Sequence, residues 1–181
     1  MNLGDAHVRP FAIGDAPALH AAVRASIGSL SHMFPWCSAD YAPADAEARV
    51  AACVAAWRDG AEYPFGIFAP GDGSAGERLL GCVGLNQLER AARSANLGYW
   101  IGEAHRGRGL ATRAAAWTAA YGFGELGLAR IEIRVLPENA ASLRVAAKLG
   151  ACREAVLPGA IAFQGRRADA VLFSLSPGAS P

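Results

Sequence analysis

Leu97-Gly98-Tyr99-Trp100-Ile101 and, one glycine later, Glu103-Ala104-His105-Arg106-Gly107-Arg108-Gly109-Leu110-Ala111-Thr112 are the residues whose reading decides the fold. Positions 94–101 alternate well enough to predict a strand, and an alanine-rich helix is predicted from about Gly109 to Phe123. The loop between them presents unpaired backbone amides. Gly107 and Gly109 let an anion approach the main chain closely. The helix N-terminus offers about half a positive charge, and Arg106 and Arg108 add full ones. This chemistry suits a pyrophosphate. No Gly-Lys-Ser/Thr follows, so the loop is not a nucleotide P-loop, and its glycine spacing departs from the dinucleotide fingerprint. The plainer alternative is a solvated turn capped by basic residues, since short Arg-x-x-Gly-x-Ala strings also arise by chance.

Working outward, Val8 to Phe11 reads as a strand, and Asp15 as the cap of a helix that Pro17 begins and that ends near Ser26. A looser stretch holds Met33-Phe34-Pro35-Trp36. A second helix starts near Pro43, with Val50, Cys53, Val54 and Trp57 at the three-to-four-residue spacing of a core stripe. Pro64–Ala69 and Leu79–Leu88 form a predicted hairpin about a glycine-rich turn at Pro70–Gly76. Downstream come a strand at Ile131–Val135, a helix at Ala140–Leu149 stopped by Gly150, and strands at Cys152–Ala162 and Ala168–Leu175. The order β-α-α-β-β-β-α-β-α-β-β lacks regular alternation. It predicts an α+β fold, a central mixed sheet with helices packed on it. One domain over residues 1–175 and a frayed, flexible tail over 176–181 are expected.

Composition removes several function classes. With 52% apolar and 18% charged residues the chain has ample material for a core. A net charge of +1 lacks the cationic excess that binding a nucleic-acid backbone requires. No signal-like start and no run of about 18 apolar residues is present, so no membrane association and a cytoplasmic location are expected. Cys37, Cys53, Cys82 and Cys152 are widely spaced and read as reduced, mostly buried packing residues, and neither they nor the four histidines show metal-ligand spacing.

Two motifs together carry a family resemblance. Arg106-Gly107-Arg108-Gly109-Leu110-Ala111 resembles the pyrophosphate-binding motif of the GNAT acetyltransferases. Pro137-Glu138-Asn139-Ala140-Ala141-Ser142 with Ala146-Ala147-Lys148-Leu149-Gly150-Ala151 resembles the second signature of the same superfamily, in the right order and separation. Leu97–Ile101, Phe34-Pro35-Trp36 and Gly165–Asp169 are similar to the branch that includes the ribosomal-protein N-terminal acetyltransferases. The resemblance implies a mixed, mostly antiparallel seven-stranded sheet flanked by about four helices and splayed between its fourth and fifth strands, with acetyl-CoA in the opening. No metal is required, because the activated thioester supplies the reactive carbonyl. The resemblance further implies that main-chain groups near Trp100 and Ile101 pair with the pantetheine arm. Amides from Arg106 through Gly107, Arg108, Gly109 and Ala111 to Thr112 would hold the pyrophosphate, and Asn139 would meet the arm from the other side. A homodimer is also an expectation from resemblance.

Acetyl transfer needs a neutral amine, a stabilised oxyanion and a way for the leaving thiolate to regain a proton. A main-chain N–H near Ile101 can polarise the thioester carbonyl. By the resemblance, Ser142 serves the leaving sulfur; otherwise it is a first-turn hydroxyl satisfying a backbone amide. Asn139 likewise reads as a helix N-cap as well as a ligand contact, and Trp36 either lines the acceptor pocket or is an aromatic half-buried beside Pro35. Relatives can carry a catalytic carboxylate on the strand after the second motif, yet Gly159-Ala160-Ile161-Ala162 has no acid. That points to a water relay or to an amine needing little help. An α-amine with a reference pKa of about 7.7 to 8.0 is roughly a tenth neutral at pH 7, whereas a lysine at about 10.4 is neutral in fewer than about one molecule per thousand. The acceptor expected is therefore an α-amine of a protein N-terminus, peptide or amino acid. Glu89, Glu103, His105 and Asp169 are candidate proton acceptors, each also readable as a surface charge or turn partner. Gly28 to Ala42 holds a single acid, Asp40, which gives no support to a polycationic acceptor. Two other functions stay open: a small-molecule acetyltransferase acting on an antibiotic or metabolite, and a non-catalytic acyl-CoA sensor.

Overall fold

In the computed structural model, residues 3–31, 34, 36–71, 76–163 and 165–178 are described. Seven strands, β1 (His7–Pro10), β2 (Tyr63–Pro70), β3 (Glu77–Glu89), β4 (Ser94–Ile101), β5 (Arg130–Val135), β6 (Cys152–Phe163) and β7 (Arg166–Leu175), form one sheet in the order β1-β2-β3-β4-β5-β7-β6. Every neighbouring pair is antiparallel except β4 with β5. Among the described residues five α-helical segments accompany it: α1 (Ala16–Ala25), α2 (Ile27–Leu30), α3 (Pro43–Asp59), α4 (Leu110–Gly124) and α5 (Ala140–Lys148). The single-turn α2 lies in the stretch read from sequence as loose, because four residues are too few to show a helical period.

Successive strand residues face opposite sides of the sheet, and helices cover both. Leu79 packs with Val23, Val50 and Cys53 of α1 and α3, while its neighbour Leu80 faces Leu110 and Ala114 of α4. Small residues let α4 lie close: Ala114, Ala115, Thr118, Ala119 and Gly122 are buried, and Ala115 and Ala119 share a cluster with Leu85, Leu97, Ile131 and Ile133. The predicted stripe of α3 divides. Val50 and Cys53 enter the cluster with α1, whereas Trp57 turns away to donate its Nε1–H to the carbonyl of Pro64 at 2.7 Å and to pack edge-on against Tyr63 and Phe65.

One expectation is corrected here. Asp15 precedes α1 but makes no side-chain cap to it. Its carboxylate accepts the Ala12 amide at 2.7 Å and both terminal nitrogens of Arg9 at 2.7 and 2.8 Å, closing a 3-10 turn at Ile13–Asp15. An ion pair across six residues of a folded turn cannot be read from capping preference alone. Pro17 does stand at the start of α1. Parts of the expected loose stretch and turn, residues 33, 35 and 72–75, and residues 179–181 of the expected tail lie outside the described residues.

What positions the site is the partial pairing of β4 with β5. Their register runs only from Ser94–Asn96 against Arg130–Glu132. Beyond Asn96, β4 continues to Ile101 beside β3, while β5 continues to Val135 beside β7. The strands therefore part, leaving the last five residues of β4 with one unpartnered edge.

Candidate active site

A cleft of about 340 Å³ opens at this divergence. Its walls come from the end of β4 (Tyr99, Trp100, Ile101), the loop and first turn of α4 (His105 to Thr112, Arg108 excepted), and the face of α5. Ser29, Leu30 and Phe34 close the side next to α2. The structure thus brings Trp100, Ile101, Arg106, Gly107, Gly109, Ala111, Thr112, Asn139 and Ser142 together around one opening. Arg108 and Trp36 are not among the lining residues. The Arg108 guanidinium pairs with Asp5, and Trp36 is 37% exposed, its ring against Phe34 and Tyr41 with centroids 5.4 and 6.0 Å away.

The loop has the geometry of an anion cradle. Gly107 and Gly109 sit at φ +77° and +73°, a left-handed region costing an L-residue roughly 1–2 kcal/mol. At Gly107 a side chain would meet nothing within 4 Å, so the main chain there is open to an approaching group. Gly109 is the N-cap of α4, whose first amides lack acceptors within the helix. A pyrophosphate fits this arrangement of free N–H donors, helix dipole and uncrowded glycine. The Arg106 side chain is already engaged: Nε donates to the carbonyl of Ile101 at 3.3 Å, and a terminal nitrogen to Ser29 Oγ at 2.8 Å. It ties α2 to the end of β4. Nearby, Ser26 Oγ accepts the amide of Glu103 at 3.0 Å, a second link between α1–α2 and the loop.

On the opposite wall, Asn139 Oδ1 accepts the amide of Ser142 at 3.0 Å, the N-cap bond anticipated from sequence, and Asn139 also lines the cleft. Ser142 Oγ lies 2.6 Å from Tyr99 Oη. Burial raises the Tyr99 phenol above its usual pKa, with the Ser142 contact acting the other way. Tyr99 appears in the sequence only as one member of an apolar strand. No local pattern marks it, because its partner is 43 residues away. Arg144 and Lys148 also line the cleft. Their four-residue spacing on α5, in step with Ala141, was a signal that sequence reasoning left unused.

Of the four candidate proton acceptors, only His105 lines the cleft. Burial lowers its pKa, and the charges of Arg78 and Arg108 lower it further, which favours the uncharged imidazole. Asp169 Oδ1 accepts the Gly159 amide at 2.9 Å, Glu89 Oε1 accepts the Ala91 amide at 3.2 Å, and Glu103 is exposed. Asp169 and Glu89 are thus turn partners. Among the described residues no group of three or more His, Cys, Asp or Glu is placed to hold a metal, and no helix is long and apolar enough to cross a membrane.

Residues 6–151 match the model of a family described as the acetyltransferase (GNAT) domain. The chain is 40% identical over 118 residues to a Bacillus subtilis protein named as a probable N-acetyltransferase, YjcK, covering 64% of this chain and 63% of that one. It spans less than two-thirds of the length of the curated relatives it matches. Among solved structures it is similar to Mycobacterium smegmatis RimJ in complex with a CoA-disulfide, at 27% identity and a TM-score of 0.79, covering 95% of this chain and 82% of that one. The fold is shared too with RimL, a ribosomal L7/L12 α-N-protein acetyltransferase in complex with coenzyme A. There the identity is 19% and the TM-score 0.86, with 97% and 96% of the two chains covered.

Proposed function

Because the chain belongs to the acetyltransferase (GNAT) domain family, we propose that it is an N-acetyltransferase, moving an acetyl group from acetyl-CoA to a primary amine by direct attack in a ternary complex. The observation that carries this reading is the cleft between the parted β4 and β5, where the α4 N-terminus, the unpartnered edge of β4 and the Tyr99–Ser142 hydroxyl pair face one opening. Acetyl-CoA supplies an activated thioester carbonyl. The chain's own groups bind and orient: amides of the Arg106–Thr112 loop hold the pyrophosphate, main-chain groups at Trp100 and Ile101 pair with the pantetheine arm, and Asn139 borders the arm opposite. A β4 amide near Ile101 polarises the carbonyl as an oxyanion donor. Ser142 donates a hydrogen bond to the departing sulfur.

For the acceptor we favour an α-amine of a protein N-terminus, peptide or amino acid, the class named for RimL, an α-N-protein acetyltransferase that shares the fold. The charged residues lining the cleft, Arg106, Arg144 and Lys148, are all cationic, and no carboxylate is among the described lining residues. This suits a phosphate-rich donor and gives a polycationic acceptor nothing to bind. His105 is the candidate proton acceptor that lines the cleft, and an α-amine needs one less than a lysine does. The cytoplasm is the compartment this reading assigns.

The test is acetyl-CoA-dependent thiol release across N-terminal peptides, lysine peptides, amino acids, polyamines and aminoglycosides, with product mass locating the new acetyl group. Turnover of α-amines above the other classes is expected. Polyamine or aminoglycoside turnover alone would replace the acceptor class, and failure to bind acetyl-CoA would overturn the reading.

A further inference from the structure

We propose that Tyr99 is a positioning residue that turns the Ser142 hydroxyl toward the leaving sulfur, so that two side chains 43 residues apart work as one hydrogen-bonding unit. This rests on the acetyl-transfer reading above and deepens it. The starting point is geometric. At 2.6 Å the Tyr99 and Ser142 hydroxyls share a short hydrogen bond, and the Ser142 carbonyl lies 3.4 Å from the same phenol oxygen. The two hydroxyls own two hydrogens, and only one of these can lie between them.

Which hydrogen it is decides what Ser142 can do. A phenol is a far stronger acid than an aliphatic alcohol and hence the better donor, and both acceptors within its reach belong to Ser142. Tyr99 therefore donates, Ser142 Oγ accepts on a lone pair, and the serine keeps its own hydrogen for a group in the cleft that both residues line. Without Tyr99 the serine hydroxyl would rotate freely and could turn back onto the helix's own carbonyls. Burial, which pushes the Tyr99 phenol upward, keeps it protonated and in the donor role across the physiological range. Both partners are held. Ser142 has its amide fixed by Asn139 Oδ1 at 3.0 Å, and Tyr99 sits on β4 with its ring packed against the α4–α5 core.

The chemistry balances without another reagent. The amine nitrogen forms a bond to the carbonyl carbon, and the carbon–sulfur bond breaks with its electron pair passing to sulfur. The proton lost by the amine equals the one the thiolate regains. Ser142 stabilises the charge growing on sulfur by donating its hydrogen bond, and Tyr99 holds that donor in line. Neither side chain changes protonation state over the cycle.

Purified full-length protein is assayed with acetyl-CoA and the best amine of the panel as wild type, Tyr99→Phe, Ser142→Ala and the double variant. Acetyl-CoA affinity is measured by calorimetry and folding by Tm. Phenylalanine keeps the ring and removes only the hydroxyl. Tyr99→Phe is expected to lower kcat about tenfold, the loss of one hydrogen bond to a charge-stabilising group, with acetyl-CoA affinity and Tm near wild type. Ser142→Ala is expected to lower kcat at least as far, and the double variant no further than Ser142→Ala alone. A merely structural Tyr99 would move Tm or affinity and would add its loss to that of Ser142→Ala. Full kcat in Tyr99→Phe beside an impaired Ser142→Ala, or an additive double variant, overturns the proposal and leaves the acetyl-transfer reading standing. Full kcat in Ser142→Ala removes the role of Ser142, and absence of turnover with every amine removes the reading itself.

Discussion

Gly81 on β3 stands opposite Ile101 on β4 and Ile67 on β2, in the interior of the sheet. A methyl group there would lie 2.3 Å from the Trp100 carbonyl oxygen and 3.0 Å from Ile101 Cα, whereas ordinary contact begins at 3.4 Å. Gly81→Ala must therefore push the end of β4 aside by about 1 Å, since the obstructing atoms are backbone and cannot rotate away. Overpacking of this kind costs about 1–3 kcal/mol. For a domain of this size each kcal/mol lowers Tm by about 2–4 °C, so a fall of about 2–12 °C is expected. The displaced main chain at Trp100 and Ile101 is the segment assigned to the donor arm, and a 1 Å misplacement can cost about a hundredfold in rate. We expect kcat/KM for acetyl-CoA to fall about ten- to a hundredfold. Gly98→Ala is the matched control: on the paired strand its new methyl would come no nearer than 3.6 Å, to Asn86 Nδ2, and both Tm and kcat/KM should stay close to wild type. Differential scanning fluorimetry and steady-state kinetics read both quantities. A Gly81→Ala protein with wild-type Tm and wild-type kinetics would refute the reasoning.

Gly109→Ala should weaken acetyl-CoA binding, measured by calorimetry, and lower stability by about 1–2 kcal/mol, because alanine resists the φ of +73° that turns the cradle into α4; unchanged affinity would separate the loop from the phosphates. Glu154, held by Arg130 and Ser174, has its carboxyl lowered from 4.5 to about 2. A folded pKa below the unfolded one adds stability that is present above about pH 4.5 and is lost as pH falls toward 2. Glu154→Gln should therefore flatten the acid limb of a chemical-denaturation series over that window, and an unchanged slope would show that another group sets it.

Much of the fold is legible in the sequence because its elements are locally encoded. Ser94–Ile101 alternates, Ala140 begins a helix after its Asn139 cap, and Gly107 and Gly109 announce a turn that only glycine adopts without strain. Each of these signals lies within a few residues of the structure it produces. The glycine loop, Asn139 and Ser142, which line the cleft together, are legible for the same reason, since each belongs to a short motif. Helix α2 is not, being too short to carry a period, and Asp15 is misread because its true partners, the Ala12 amide and Arg9, outcompete the cap its position suggests.

What the chain alone determined is the order of strands and helices, the apolar faces that must be buried and the glycine loop ahead of α4. Only the tertiary structure decided that β7 enters the sheet between β5 and β6, that β4 and β5 part after three paired residues, and that Arg108 turns to Asp5 while Arg106 reaches Ser29. It alone set the Tyr99 hydroxyl against that of Ser142. Those contacts join residues up to 103 positions apart. They form when the packing of several elements fixes the distance between side chains that no local propensity relates.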